Sequence, residues 1–152
     1  MKSYYRLPEG VQDMLPAECY NLNVLQKRLE TKFSQAGCLA VQSAALEYYD
    51  TYAEIKNKIP QEKMFKLTDS DGSLLVLRPD MTLAVARMAA TKLADTNVKI
   101  SSFSPVWHYE KTGGYSIREI YQAGVEFLGV STAFSDAQAI AFAIDCLLEL
   151  GV

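Results

Sequence analysis

Arg118, Gln122 and Glu126 stand at four-residue intervals in the stretch SIREIYQAGVEFLG. Side chains alternate along a strand, so an extended backbone here puts all three on one face with Ile120 and Gly124, and Glu119, Tyr121, Ala123, Val125 and Phe127 on the other. A cation, an amide and a carboxylate in a row form either the solvated outer face of an antiparallel sheet or the floor of a pocket for a small polar ligand. The pattern alone favours the solvated face. Two further polar residues, Asp80 and Thr82, follow Pro79 at the start of an apolar helical stripe, where a carboxylate or hydroxyl most simply satisfies free N–H groups. His108 is the only histidine in the chain, and Cys19, Cys38 and Cys146 are three widely separated thiols. That spacing fits neither a zinc site nor a disulfide framework and points to small buried thiols. No Gly-rich phosphate loop, metal spacing or nucleophile motif is present, and no cofactor is expected.

The elements that must position these residues are legible from periodicity. The 103–129 stretch reads as a long hairpin whose polar turn is Lys111-Thr112-Gly113-Gly114. Leu22, Leu25, Leu29 and Phe33 recur at spacings of three and four after Pro16 and before Gly37, which predicts a helix over 16–36. Residues 38–45 are apolar and small, as in a buried strand, and 46–50 lead toward a short helix or loop. Residues 56–62 form a polar connection broken by Pro60. Residues 64–67 and 73–77 flank an Asp71-Gly72 pair and predict a second hairpin. Leu83, Ala86, Ala90 and Leu93 mark an amphipathic helix beginning near Pro79. A short strand over 98–103 leads into the long hairpin. Ser135, with Gln138 three residues on, suggests a capping box for a helix over 135–150 whose stripe is Ile140, Ile144, Leu147 and Leu148, stopped by Gly151. The order helix, strand, hairpin, helix, hairpin, helix implies an α+β fold with a mixed, mainly antiparallel sheet and flanking helices.

Composition bounds the function. A chain of 152 residues with 49% hydrophobic content suits one domain, 1–152, with a proper core. Its net charge of −3 and scattered Lys and Arg give no basic patch for nucleic acid or an anionic membrane. No apolar run spans a bilayer and MKSYYRLPEG lacks the core of a signal peptide, so a cytoplasmic location is expected.

From Leu7 to Gly151 the chain resembles the first half of the class II aminoacyl-tRNA synthetase catalytic core of the histidyl type. Five colinear stretches carry the likeness: LPEGVQDMLP; GCLAVQSAALEYYD in the place of motif 1; MFKLTDSDGSLLVLRPDMT; VWHYE with IREIYQAGVEFLG in the place of motif 2; and SDAQAIAFAIDCLLELG. Two functional branches share this core. One charges tRNA with histidine. The other is the regulatory subunit of ATP phosphoribosyltransferase, which partners a short-form catalytic subunit in histidine synthesis.

Departures from the synthetase pattern separate the branches. The motif 2 arginine that grips the ATP α-phosphate is replaced by His108, and a neutral imidazole is a poor substitute for a permanently charged fork. The second loop arginine of the pattern matches Ser116, whereas Arg118 is kept. The synthetase LRPE reads Leu77-Arg78-Pro79-Asp80, and the motif 1 proline corresponds to Ala44. His108 and Arg118 therefore mark a degenerate ATP site. The positions matching the histidine-binding side, Asp80, Thr82, Gln122 and Glu126, remain polar, as an amino-acid ligand requires.

The resemblance thus implies a non-catalytic regulatory subunit that recognises free histidine as an effector and assembles with the short-form catalytic subunit. The competing enzyme reading is a histidyl-tRNA synthetase fragment; a third is a scaffold that has lost the pocket and only dimerises. Because the likeness covers about half of the expected core, a domain of otherwise normal length is left with an unpaired sheet edge, which predicts self-association.

Overall fold

The computed structural model describes residues 6–53, 59–93, 97–112 and 115–152. In chain order the elements are α1 (Pro16–Gln35), β1 (Leu39–Ala40), β2 (Leu46–Tyr48), α2 (Tyr49–Ala53), β3 (Lys66–Thr68), β4 (Leu74–Leu77), α3 (Thr82–Lys92), β5 (Val98–Thr112), β6 (Tyr115–Leu128) and α4 (Ala133–Leu150). A 3-10 turn, Gln61–Lys63, precedes β3. These elements form the α+β architecture expected. One three-stranded sheet has the order β1-β5-β6 and the other β2-β4-β3. Residues 56–58 of the polar connection and Gly113-Gly114 of the long hairpin's turn lie outside the described residues.

Contacts divide the chain into two compact units. The first comprises Met1–Asp13, Ser43–Ala84 and Ser104–Gln122, the second Met14–Gln42, Val85–Phe103 and Ala123–Val152. The long strands β5 and β6 each contribute residues to both.

In the second unit, α1 starts with Pro16 at its first position, and the Glu18 carboxylate accepts the Leu15 N–H at 2.8 Å. It stops because Gly37, at φ 76°, turns the chain left-handed. The Cys38 N–H then reaches the Phe33 carbonyl at 2.9 Å and the Gly37 N–H reaches that of Ser34 at 3.0 Å. Leu29, Phe33 and Cys38 form the buried cluster here, with Phe103, Val125, Phe142, Cys146 and Leu150 packed against it.

Two expectations need correction in this unit. The helix α4 is capped by Thr132, not Ser135: the Thr132 hydroxyl accepts the Ser135 N–H at 3.1 Å, and the Ser135 hydroxyl accepts the Thr132 N–H at 3.0 Å. A serine at the third helical position can return the bond as a glutamate does, so the reciprocal motif sits three residues earlier than read. The stripe of Ile140, Ile144, Leu147 and Leu148 is exposed, Leu148 by 65%, and the covered side is Phe142, Cys146 and Leu150. This helix is apolar on both sides, so spacing cannot say which side faces inward.

The strand expected over 38–45 shrinks to β1, which pairs in parallel with β5 through Leu39 opposite Ile100 and Ala40 opposite Ser101. It is not buried: Leu39 is 61% exposed. The chain leaves the ladder because Ser43, Ala44 and Ala45 in the first unit give their carbonyls to Arg78 instead.

In the first unit β4 is the centre of an antiparallel sheet, with Glu47 opposite Val76 on one side and Lys66 opposite Val76 on the other. The Asp-Gly turn forms as expected. Gly72 has φ 87°, its N–H reaches the Asp69 carbonyl at 3.0 Å, and the Asp71 carboxylate accepts the Ser73 N–H at 2.8 Å. Hydrogen bonds from the Ser73 backbone and side chain hold the Asp71 carboxyl below its ordinary value. Tyr52, Met64 and Val76 make the core beneath this sheet. The α3 stripe is also corrected: Met81, Ala84 and Val85 are buried, whereas Ala86 and Ala90 are exposed. The run TLAVARMAA is nearly all apolar and offers two candidate stripes.

The segment before α1 is latched to β6 at Glu9 and Gly10. The Arg118 N–H donates to the Gly10 carbonyl at 2.9 Å and the Ser116 hydroxyl to the Glu9 carboxylate at 2.6 Å. Gly10 has φ 82°, and a Cβ there would lie 2.8 Å from the Ser116 carbonyl oxygen. Gly10→Ala therefore combines a left-handed strain with a clash against backbone, and urea denaturation should show a loss of about 1–3 kcal/mol. An unchanged midpoint would mean that the latch contributes nothing.

Candidate functional site

The turn between β4 and α3 is built on Arg78, which is only 2% exposed. Its Nη1 donates to the Ser43 carbonyl and hydroxyl, each at 2.8 Å, and to the Ala44 carbonyl at 2.9 Å; its Nη2 donates to the Pro105 carbonyl at 2.7 Å. The Arg78 N–H reaches the Ala45 carbonyl at 2.8 Å, and the Arg78 carbonyl accepts the Trp107 N–H at 3.0 Å. The guanidinium carbon lies 5.6 Å from the centre of the Trp107 ring, a favourable cation–π arrangement. Burial pushes the guanidinium below its ordinary pKa, and Tyr52 and Glu47 push it back up.

Held this way, the next residues display their polar groups at fixed places. Asp80 Oδ1 accepts the Leu83 N–H at 3.0 Å, so the carboxylate does cap α3. Gln122 Oε1, on β6, accepts the neighbouring Met81 N–H at 3.1 Å. Asp80 and Gln122 thus converge on the same helix start, where free N–H groups make the local potential positive. Thr82 is the first residue of α3 and is exposed.

His108 and Arg118 also fall in this first unit. The His108 Nδ1 lies 3.1 Å from the Pro79 carbonyl and its Nε2 lies 3.1 Å from Glu110 Oε2. The Arg118 guanidinium carbon lies 5.0 Å from the centre of the Tyr109 ring, which in turn stacks on Phe65 with ring centres 4.2 Å apart. Arg118 Nε is buried without a hydrogen-bond partner. Glu126 belongs to the second unit, four residues beyond Gln122 along β6. The even-numbered face of β6, from Ser116 to Glu126, is partly buried, whereas Ile117, Glu119, Tyr121 and Ala123 are exposed. The polar row is therefore the more covered face, against the solvated face that the pattern favours.

The tyrosines divide. Tyr52 is buried in the core, while Tyr48 and Tyr121 are exposed. Tyr49 bonds Gln61 through its hydroxyl and lies beneath Lys66, whose Nζ is 4.6 Å from the ring centre. In the second unit an apolar cavity of about 310 Å³ is lined by Leu29, Phe33, Val125, Phe142 and Cys146. Its lining offers a polar ligand little to bind. Burial raises the Cys38 and Cys146 thiols, which makes them weak nucleophiles.

Sequence reasoning did not single out Arg78 and Ser43 as an organising pair. The one available signal is an arginine set inside the apolar run LLVLRPDM, because a cation there must find internal acceptors.

Residues 10–152 match the family described as histidyl-tRNA synthetase, and the chain belongs to that family. Among curated relatives, the ATP phosphoribosyltransferase regulatory subunit of Acetivibrio thermocellus is 44% identical over 147 residues, covering 95% of this chain and 35% of the relative. That of Ruminiclostridium cellulolyticum is 41% identical, again over 95% of this chain and 35% of the relative. The chain thus spans about a third of the length of these relatives. Among solved structures, an ATP phosphoribosyltransferase regulatory subunit/histidyl-tRNA synthetase from Bacillus halodurans superposes with a TM-score of 0.88 at 30% identity, covering 99% of this chain and 39% of that one. The fold is that of the histidyl-type class II synthetase core, as the five sequence stretches imply.

Arg78→Met removes every guanidinium bond to Ser43, Ala44 and Pro105 and leaves the buried Ser43 carbonyl and the part-buried Pro105 carbonyl without it. A loss of roughly 3 kcal/mol or more is expected in a urea titration, since each orphaned buried acceptor costs about 1–3 kcal/mol. Arg78→Lys should recover only part of it, because one ammonium cannot span both sets of carbonyls.

Proposed function

We propose that the chain belongs to a regulatory, non-catalytic subunit of ATP phosphoribosyltransferase, acting in histidine biosynthesis. The observation that carries this reading is the fate of the family's phosphate-gripping arginine. His108 stands in its place, and its ring is engaged by the Pro79 carbonyl and the Glu110 carboxylate. A carboxylate at that point repels a triphosphate. The second loop arginine is Ser116, whose hydroxyl is committed to Glu9. Relatives at 41–44% identity that bear the regulatory-subunit name support the same branch.

On this reading the phosphoribosyl transfer occurs on a short-form catalytic subunit, which the regulatory subunit activates and renders sensitive to free histidine. Asp80, Thr82, Gln122 and Glu126 are the effector-binding residues. Asp80 spends Oδ1 on the α3 cap, which leaves Oδ2 to meet an ammonium; Gln122 spends Oε1 on Met81, which leaves its Nε2 hydrogens for a ligand acceptor. Linkage is reciprocal, so if histidine weakens substrate binding then substrate weakens histidine binding by the same factor. The subunit works in the cytoplasm beside its partner. It self-associates as a dimer or higher oligomer.

The test is phosphoribosyl-ATP formation by a short-form catalytic subunit with and without the full-length parent of this chain, followed by a histidine titration. Activation, with inhibition by histidine that requires the parent, is expected. Asp80→Ala and Glu126→Ala parents should still activate but need at least tenfold more histidine, about the worth of a lost charge-assisted contact. No activation, together with histidine-dependent exchange of pyrophosphate into ATP by the parent alone, would return the protein to the synthetases.

A further inference from the structure

Both ring nitrogens of His108 face acceptors, the Pro79 carbonyl at Nδ1 and the Glu110 carboxylate at Nε2, each at 3.1 Å. A neutral imidazole carries one N–H and can satisfy only one of them; the imidazolium donates to both. Pro79 is fully buried and lies between Arg78, which is locked to Ser43, Ala44 and Pro105, and Asp80, which caps α3. Met81, next in the chain, is held by Gln122. The Pro79 carbonyl is therefore the handle of the segment that carries half of the proposed effector contacts.

We propose that His108 is a positioning residue whose protonation clamps the Pro79 carbonyl and thereby sets how tightly the Asp80 and Gln122 side chains hold their ligand. This deepens the effector-site reading above and rests on it. The substitution that removes the phosphate-gripping arginine thus installs a proton-sensitive brace in its place.

Among the described residues, the other groups near the ring leave it that role. Within β5, Glu110 contacts it directly, and the neighbouring Tyr109 ring is covered by Phe65 and the Arg118 guanidinium. Met64 pairs with His108 only through a backbone bridge and brings no charge. From the 78–80 turn, the Arg78 guanidinium is directed at Ser43, Ala44 and Pro105, and the Asp80 carboxylate at Leu83. The sign follows from donor count and acceptor strength: the imidazolium donates to both groups, whereas the neutral ring keeps its one proton toward the Glu110 carboxylate, the stronger acceptor, so the Pro79 bond is the one lost when the ring is uncharged.

The chain has a single histidine, so its imidazole can be followed alone. The ¹⁵N shifts of the ring and the amide shifts of Met81 and Leu83 would be recorded between about pH 5.5 and 8. Both amides should move with the ring's own midpoint, and neither should move in His108→Gln. In parallel, free histidine would be titrated into the full-length parent and its His108→Gln variant across the same range. The ligand titrates as well, so the readout is the ratio of wild-type to variant affinity. That ratio should rise about fivefold from pH 8 to pH 5.5, what one net hydrogen bond is worth. A ratio constant within about twofold, or amides that ignore the ring, would overturn the clamp. A parent that binds no histidine at any pH would instead overturn the effector reading, and the amide shifts would still decide the clamp.

Discussion

The first unit depends on a buried cation. Arg78 puts a guanidinium among the carbonyls of Ser43, Ala44 and Pro105, segments that lie 27 to 35 residues away in sequence. Such a group is costly to take out of water unless its donors are matched, and here Nη1 and Nη2 reach both sets of acceptors at once, while Nε is buried without a partner. Backbone bonds on either side of it, to Ala45 and Trp107, stitch the same residue into its surroundings. With Arg78 fixed, Pro79, Asp80 and Met81 have little freedom, and the first turn of α3 starts at a defined place.

The polar residues that family likeness assigns to ligand binding are not spare groups waiting in a pocket. Asp80 and Gln122 each give one oxygen to the fold and retain other capacity. Dual use of this kind pre-organises a site, because the side chains are held in one rotamer before any ligand arrives. It also means that a ligand drawing on these groups pulls on the start of α3. The positions to which family likeness assigns nucleotide contacts show the opposite economy. His108 and Ser116 are committed to Pro79, Glu110 and Glu9, contacts that brace the chain itself.

Arg118 stands between these two cases. Its backbone N–H is latched to Gly10 and its guanidinium covers Tyr109, while Nε is buried without a partner. A cation stacked on an aromatic face keeps much of its favourable electrostatics without an anion beside it. The residue is therefore retained by packing as well as by any ligand it meets.

Much of this was legible in the chain. The helix stop at Gly37, the Asp71-Gly72 hairpin and the start of α1 at Pro16 are local events, decided by left-handed backbone, turn chemistry and a missing N–H, so the residues at hand suffice to locate them. Colinear motif resemblance extended that to the family. Tertiary structure decided what local rules cannot rank. It chose Phe142, Cys146 and Leu150 over Ile140, Ile144 and Leu148 as the inner side of α4, and Ala84 and Val85 over Ala86 and Ala90 in α3, because a helix apolar all round is turned by what it meets. It moved the α4 cap to Thr132, and it shortened β1 by giving the Ser43, Ala44 and Ala45 carbonyls to Arg78 rather than to a strand. It also covered the Arg118–Gln122 face that alternation alone left open to water. The α4 cap is a local bond between Thr132 and Ser135; in the other cases the deciding partner is distant in sequence, and no spacing rule reports where a distant donor or apolar surface will arrive.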